Sequence, residues 1–218
     1  MRAPKIKTLN KVHLYSILLV ILLGSSVYIN SLSNPFIWDD EALINNNYFI
    51  KDLRYIGDIF KENLDFASGT PSLFYRPMQN LTYLLDYYIF GLRPWGFRVT
   101  NIILHILNAI LIYFIILKFT QKTEFSLFVS ILFVIHPVHT EAVTYISGRA
   151  DPLMGLFILL AFLAYLKYRT SRNFRFYLAS LVLFILGLLS KELAVIFPLV
   201  ILVYELYLLK IENKRFRL

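Results

Sequence analysis

What most limits the fold of this chain is its rhythm of long apolar runs closed by short basic clusters. Residues 14–32 carry no charge, and a helix of that length crosses the roughly 30 Å hydrocarbon layer of a bilayer. Further apolar runs follow at 99–117, 125–135, 152–166, 176–189 and 193–209. In lipid each segment must satisfy its own backbone hydrogen bonds, so such runs become helices. The expected class is an all-α integral membrane protein with about six transmembrane helices. The third to fifth runs lie near or below the ~17–25 residues a span needs, and cross only with flanking residues or local thinning. A hydrophobic fraction of 58% and a mean hydropathy of +0.62 agree with a membrane protein, since soluble domains are about 45–50% apolar.

The charges orient these runs. With the N-terminus inside, the inner segments 1–13, 118–124, 167–175 and 210–218 hold 14 of the 22 basic residues, against only Glu124 and Glu212 among the acids. The outer segments are net negative. This is the positive-inside asymmetry, and it predicts cytoplasmic N- and C-termini with an even number of crossings. A net charge of +8 distributed this way marks a bilayer rather than nucleic acid as partner. Gly24-Ser25-Ser26 resembles a signal-peptide end, but more apolar residues follow it, so the first run reads as an uncleaved anchor. There is no cysteine, which excludes disulfides and thiolate chemistry.

The domain reading is a cytoplasmic segment 1–13, a first span 14–32, an outer loop 33–98, a membrane bundle of about five spans over 99–209, and a basic tail 210–218. Within the loop, Phe49, Leu53, Ile56, Phe60 and Leu64 recur at helical spacing opposite Lys51, Asp52, Asp58, Lys61 and Glu62. That pattern predicts an amphipathic interfacial helix over 48–66. Ala67–Ser72 reads as a loop, and Pro77 opens a second helix running to Gly91 and carrying Tyr83, Asp86, Tyr87 and Tyr88.

Several polar clusters fall on the expected outer side. Asp39, Asp40 and Glu41 follow the first span directly. Adjacent acids repel, so one should have a raised proton affinity, suited to a general base; the alternative is a solvated acidic turn capping the next helix. Arg76 in Tyr75-Arg-Pro77 and Arg149 in Ser147-Gly-Arg-Ala-Asp-Pro152 are candidate phosphate ligands. Gly148 reads there as a helix end, and Asp151 as the N-cap before Pro152. Lys191 and Glu192 interrupt an apolar hairpin and read as a turn with a local ion pair. His136, His139 and Glu141 fit the lining of a cavity better than a metal site, because their spacing is not that of the zinc HExxH helix; His136 should cap a helix begun by Pro137. Within the second apolar run, His105 and Asn108 are expected to hydrogen-bond between helices. Asn80-Leu-Thr82 matches a glycosylation sequon.

In order, Phe36-Ile-Trp-Asp-Asp40, Tyr75-Arg-Pro-Met78, Asn101-Ile-Ile-Leu-His-Ile-Leu-Asn108, His136-Pro-Val-His-Thr-Glu-Ala-Val143, Gly148-Arg-Ala-Asp151 and Ser190-Lys-Glu192 resemble the N-terminal membrane part of the transmembrane and tetratricopeptide-repeat O-mannosyltransferases. Those proteins belong to the GT-C glycosyltransferases. The resemblance implies a GT-C-like fold and transfer of a sugar, with mannose the expected one, from a polyprenyl- or dolichyl-phosphate donor to a protein or glycan acceptor on the outer face. It implies Asp39 or Asp40 as the base or acceptor-orienting group, and Arg76, Arg149 and Lys191 as partners of the lipid phosphate. His136, His139, Glu141, Asp151 and Glu192 would line the site. No metal site is assigned and no cofactor is required, although a divalent metal would be compatible. The implied location is the plasma membrane of a prokaryote or the endoplasmic reticulum of a eukaryote. Longer members of the family continue into further spans and helical repeats, so this chain is expected to be a shorter form or a fragment. The competing reading is a non-catalytic membrane scaffold in which the same clusters hold helices together.

Overall fold

The first apolar run forms α1, Lys11–Tyr28, extended by a 3-10 turn over Ile29–Ser33 and halted at Asn34-Pro35. The protein is described by a computed structural model covering residues 11–69 and 73–215, with 211–215 as backbone only. Expectations resting on Arg2, Lys5, Lys7, Thr70-Pro-Ser72, Arg217 and the side chains of the basic tail beyond Lys210 lie outside the described residues.

The loop after α1 departs from the expected single helix over 48–66. It folds instead as short pieces: 3-10 turns at Phe49–Lys51 and Leu53–Tyr55, the single turn α2 at Ile56–Ile59, and another 3-10 turn at Phe66–Ser68. Side chains supply the reason, because they take backbone donors that a continuous helix would need. Asn47 accepts from Phe49 N–H at 3.0 Å, and Asp52 accepts from Arg54 N–H at 2.9 Å while its backbone is extended. Of the five apolar residues of the pattern, Phe49 and Leu64 are buried, whereas Leu53, Ile56 and Phe60 are exposed. Ile44, Phe49, Ile50, Ile59, Tyr83, Leu84, Phe97 and Ile146 form a cap core over α3, Pro77–Phe90, which ends at Gly91 (φ 62°) as expected.

The next four apolar runs follow as α4 (Pro94–Thr120), α5 (Thr123–Ile135), α7 (Ala150–Ser171) and α8 (Phe174–Leu188), with the short α6 (Thr140–Thr144) between α5 and α7. The sixth run is a 3-10 turn, Glu192–Ile196, leading into α9, Phe197–Arg215. Pro137 stops α5, and His136 adopts the extended backbone that a residue before proline favours. As expected, His136 caps the new turn, its Nδ1 accepting from Val138 N–H at 3.2 Å. Among the described residues there is no strand.

Four stretches are long and apolar enough to cross a membrane: Lys11–Ser33, Pro94–Thr120, Ile146–Ser171 and Glu192–Lys210. The pair Thr123–Ile135 and Pro137–Thr144, bent by 46°, makes a fifth if it acts as one span. Helix α8 has 15 residues, roughly 22 Å at the α-helical rise, and falls short of the hydrocarbon thickness. All six apolar runs are thus helical, but length alone supports four or five crossings rather than six.

Helix α4 lies at the centre and packs against α1, α3, α5, α6 and α7, while α7 and α8 form a tight hairpin. Lipid offers no hydrophobic gain for helix association, so close packing and polar contacts carry it. Ser130 Oγ donates to Ala109 O at 2.8 Å, and Ser180 Oγ to Ala161 O at 2.9 Å. The expected interhelical bonds of the second run are present: His105 Nε2 lies 3.2 Å from Val134 O, and Asn108 donates to Pro152 O at 2.8 Å. Glu205, inside α9, receives Tyr165 O–H at 2.7 Å and pairs with Arg169 at 2.9 Å, as an acid in a membrane helix must be paired. Gly24 lets α1 approach α4 and α5, since a Cβ there would lie 2.7 Å from Ile106 and 2.8 Å from Val134. Gly24→Leu should therefore pry α1 from the bundle and destabilise it by about 1–3 kcal/mol, read as a lower melting temperature in detergent or nanodiscs.

Candidate active site

The polar clusters meet where the cap joins the bundle. Asp40 is fully buried. Its Oδ2 accepts from Ile37 N–H at 3.1 Å, and its Oδ1 accepts from Ser147 N–H at 3.1 Å and Ser147 Oγ–H at 2.8 Å. Burial pushes this carboxyl above the usual range, while its hydrogen bonds and the nearby Arg98 pull the other way. The raised affinity expected from a like-charged neighbour thus has burial as its cause. Asp39, by contrast, is exposed, and its backbone N–H donates to Tyr145 Oη at 3.0 Å. Trp38 stands between the first span and these acids with φ 47° and is 83% exposed. Its ring meets Tyr145 edge-to-face at 6.1 Å. A bulky residue in left-handed backbone stores strain of order 1–3 kcal/mol and must be held by its surroundings. Residues 38–40 are held in just that way, fastened to 145–147 by a ring contact and three hydrogen bonds.

Arg98, which the sequence did not single out, clamps the same junction. This buried guanidinium donates to the carbonyls of Asn34, Pro35 and Thr144, tying the exit of α1 and the end of α6 to the first turns of α4. Gly148 is needed beside it for close packing rather than for its backbone angle: a Cβ would lie 2.8 Å from Glu141 O and 2.9 Å from Ala142 Cα.

Arg149 is not a free phosphate ligand. Fully buried, it pairs with Asp86 at 2.6 Å and donates to Asn101 Oδ1 and Phe97 O, each at 2.7 Å, and to Thr82 Oγ1 at 3.3 Å. It also lies 4.5 Å over the Tyr83 ring. Its donors are occupied and no water reaches it, so the lipid-phosphate role expected for it gives way to that of a structural hub. The pairing also accounts for Asp86, whose carboxyl burial raises and Arg149 lowers, with burial the larger effect. Asp151 likewise does not cap α7, which starts at Ala150.

Lys191 and Glu192 do not pair locally. Lys191 Nζ reaches Asp151 at 2.5 Å, and Glu192 receives Arg76 in a two-pronged contact at 2.7 and 3.1 Å. Met78 N–H donates to Leu189 O at 3.1 Å, fixing the start of α3 against that turn. Gln79 donates to Ser147 O at 3.0 Å. A continuous set of contacts thus links Asp40, Ser147, Gln79, Arg76, Glu192, Lys191 and Asp151. His136 and His139 lie apart from that set: the His139 ring sits 5.1 Å from His105, 4.4 Å from Phe133 and 6.1 Å from His136. Glu141 is exposed on α6. Among the described residues no three His, Cys, Asp or Glu gather as a metal site. The Asn80 amide is buried, donating to Leu64 O at 2.8 Å and accepting from Asn47, so the sequon serves the cap core in this fold.

The apolar helices and this polar junction define a multi-pass helical membrane protein with a buried polar junction between its cap and its bundle. The profile described as Dolichyl-phosphate-mannose-protein mannosyltransferase matches residues 75–217, well over half of the chain, and the chain belongs to that family. It is 35% identical over 157 residues to human Protein O-mannosyl-transferase TMTC4, covering 64% of this chain and 21% of the relative. It is 34% identical over 201 residues to Protein O-mannosyl-transferase F38B6.6 of Caenorhabditis elegans, covering 88% and 28%, and 35% identical over 214 residues to human Protein O-mannosyl-transferase TMTC1, covering 89% and 24%. The chain thus spans between a fifth and a third of the length of these curated relatives. No solved structure matches it.

Two substitutions separate the acids. In Asp40→Asn the amide nitrogen must face either Ile37 N–H or the Ser147 donors, and an orphaned buried donor costs about 1–3 kcal/mol; Asp39→Asn at the exposed position should shift stability by less than about 0.5 kcal/mol. Thermal unfolding of both variants checks this. Arg149→Leu leaves Asp86 buried without its partner and should cost about 3–5 kcal/mol, seen as loss of folded protein on size exclusion.

Proposed function

We propose that this chain carries the sugar-transfer site of a GT-C glycosyltransferase that moves mannose from a polyprenyl- or dolichyl-phosphate carrier to a protein hydroxyl on the outer face of the membrane. The observation that carries the reading is the division of labour in the acidic pair. Asp40 is consumed in holding the loop, while Asp39 is exposed on a backbone fixed at both sides. A general base needs that combination of fixed position and open access.

In this mechanism Asp39 takes the proton of the acceptor hydroxyl as its oxygen attacks the anomeric carbon from the face opposite the phosphate. The bond from that carbon to the phosphate oxygen breaks, and the carrier phosphate departs with the electron pair. Arg76 and Lys191 are the phosphate partners, exchanging Glu192 and Asp151 for phosphate oxygens; such cations stabilise charge developing on the leaving group. Both are partly accessible, with side chains 12% and 18% exposed, unlike Arg149. His136, His139 and Glu141 would flank the site without a step of their own. A groove of about 380 Å³ between α1 and α4, lined by Ile21, Ile29, Leu32, Val99, Ile103 and Leu107 among others, suits a hydrocarbon chain and supports a lipid-borne donor.

The test is mannose transfer from mannosyl-phosphoryl-polyprenol to a pool of serine- and threonine-containing peptides by the full-length protein. Asp39→Asn should lower transfer about 10²- to 10⁴-fold with the melting temperature kept. Undiminished transfer would remove Asp39 as the base, and absence of transfer by the wild type would favour a scaffold.

A further inference from the structure

Trp38 stands out because its side chain, apart from the ring contact with Tyr145, is left open. Its indole is 83% exposed, although the backbone beneath it is held in a conformation that bulky residues avoid. The left-handed turn directs the ring outward, beside the exposed Asp39 and edge-on to Tyr145. The surroundings select what could cover it. An apolar face rimmed by a carboxylate and by the Tyr145 hydroxyl suits a ring with C–H faces and a hydroxyl edge, which is a pyranose. A phosphate would need a free cation there, and the nearby Arg98 is buried with three backbone carbonyls as partners.

We infer that Trp38, braced by Tyr145, is the stacking platform for the hexose of the lipid-borne donor, and so a substrate-binding residue that holds the sugar against Asp39. This rests on the transfer reading above and adds to it a contact with the sugar itself, distinct from the carrier phosphate and lipid. The strained backbone then has a use: the turn keeps the indole exposed at the residue next to the candidate base.

The experiment compares two ligands with the full-length chain in nanodiscs, mannosyl-phosphoryl-polyprenol and the same polyprenyl phosphate without sugar. Trp38→Gly is the informative variant, since glycine accepts φ 47° freely and should keep or raise the melting temperature. It should weaken binding of the sugar-loaded carrier roughly three- to tenfold and leave binding of the bare phosphate unchanged; Trp38→Phe should recover part of the difference. In a Trp95→Phe background, Trp38 emission should respond to the loaded carrier and not to the bare one or to carrier-free vesicles. Equal loss with both ligands, or a response to vesicles alone, would make Trp38 a membrane-interface anchor and overturn the inference. Wild-type binding by Trp38→Gly together with transfer lost in Asp39→Asn would sink the platform and leave the transfer reading standing. Trp38-dependent discrimination of the sugar without any transfer would do the reverse.

Discussion

Burial of the Arg149 guanidinium is the constraint on which the rest of this structure depends. A charge without water is tolerated only when it is paired and its donors are met, and Arg149 draws its partners from two helices: Thr82, Asp86 and the aromatic face of Tyr83 on α3, and Phe97 and Asn101 on α4. Satisfying one side chain therefore fixes the cap helix, the central membrane helix and the turn into α7 relative to each other. Ser147, two residues earlier, is thereby fixed as well, and it is the residue that donates to Asp40.

The site inherits its rigidity from this arrangement. Arg98 closes the other side by binding the carbonyls just past α1, so the Trp38–Asp40 segment is held between two buried cations. Neither is free for a ligand. The cations that remain partly accessible, Arg76 and Lys191, are paired with carboxylates at the rim, where exchange for another anion is easier than it would be for Arg149. Burial thus sorts four arginines and lysines of similar chemistry into fasteners and candidate ligands.

Much of the frame was legible in the sequence, because hydrocarbon thickness and backbone hydrogen bonding leave little choice for a long uncharged run. The helix start at Pro77, the break at His136-Pro137 and the interhelical bonds of His105 and Asn108 followed from local rules in the same way. Spacing does not report distant partners. Lys191 and Glu192 looked like a local pair but reach Asp151 and Arg76. Arg149 looked as free as Arg76. Arg98 sat at the start of a span with no motif to mark it, and Tyr145 was one aromatic among many. The helical pattern over 48–66 picked out Phe49 and Leu64, which are buried, but Leu53, Ile56 and Phe60 of the same pattern are exposed, because Asn47 and Asp52 compete for the backbone and break the helix. The location of the polar junction was therefore readable, whereas the roles within it depend on burial that only the fold assigns.

The cap and the bundle have separate cores, one built around Ile44, Phe49 and Leu84 and the other around Val20, Ile106 and Val134, and α4 passes between them. The two cores answer to different solvents. With the cap outside the bilayer, as in the orientation proposed above, its core is held by exclusion of water, a force that is largely entropic near room temperature and weakens on cooling. The bundle sits in a medium as apolar as itself and gains nothing from that force. Chilling and chaotropes therefore act on the half that carries Asp39 while sparing the helices beneath it, whereas a change of lipid does the opposite.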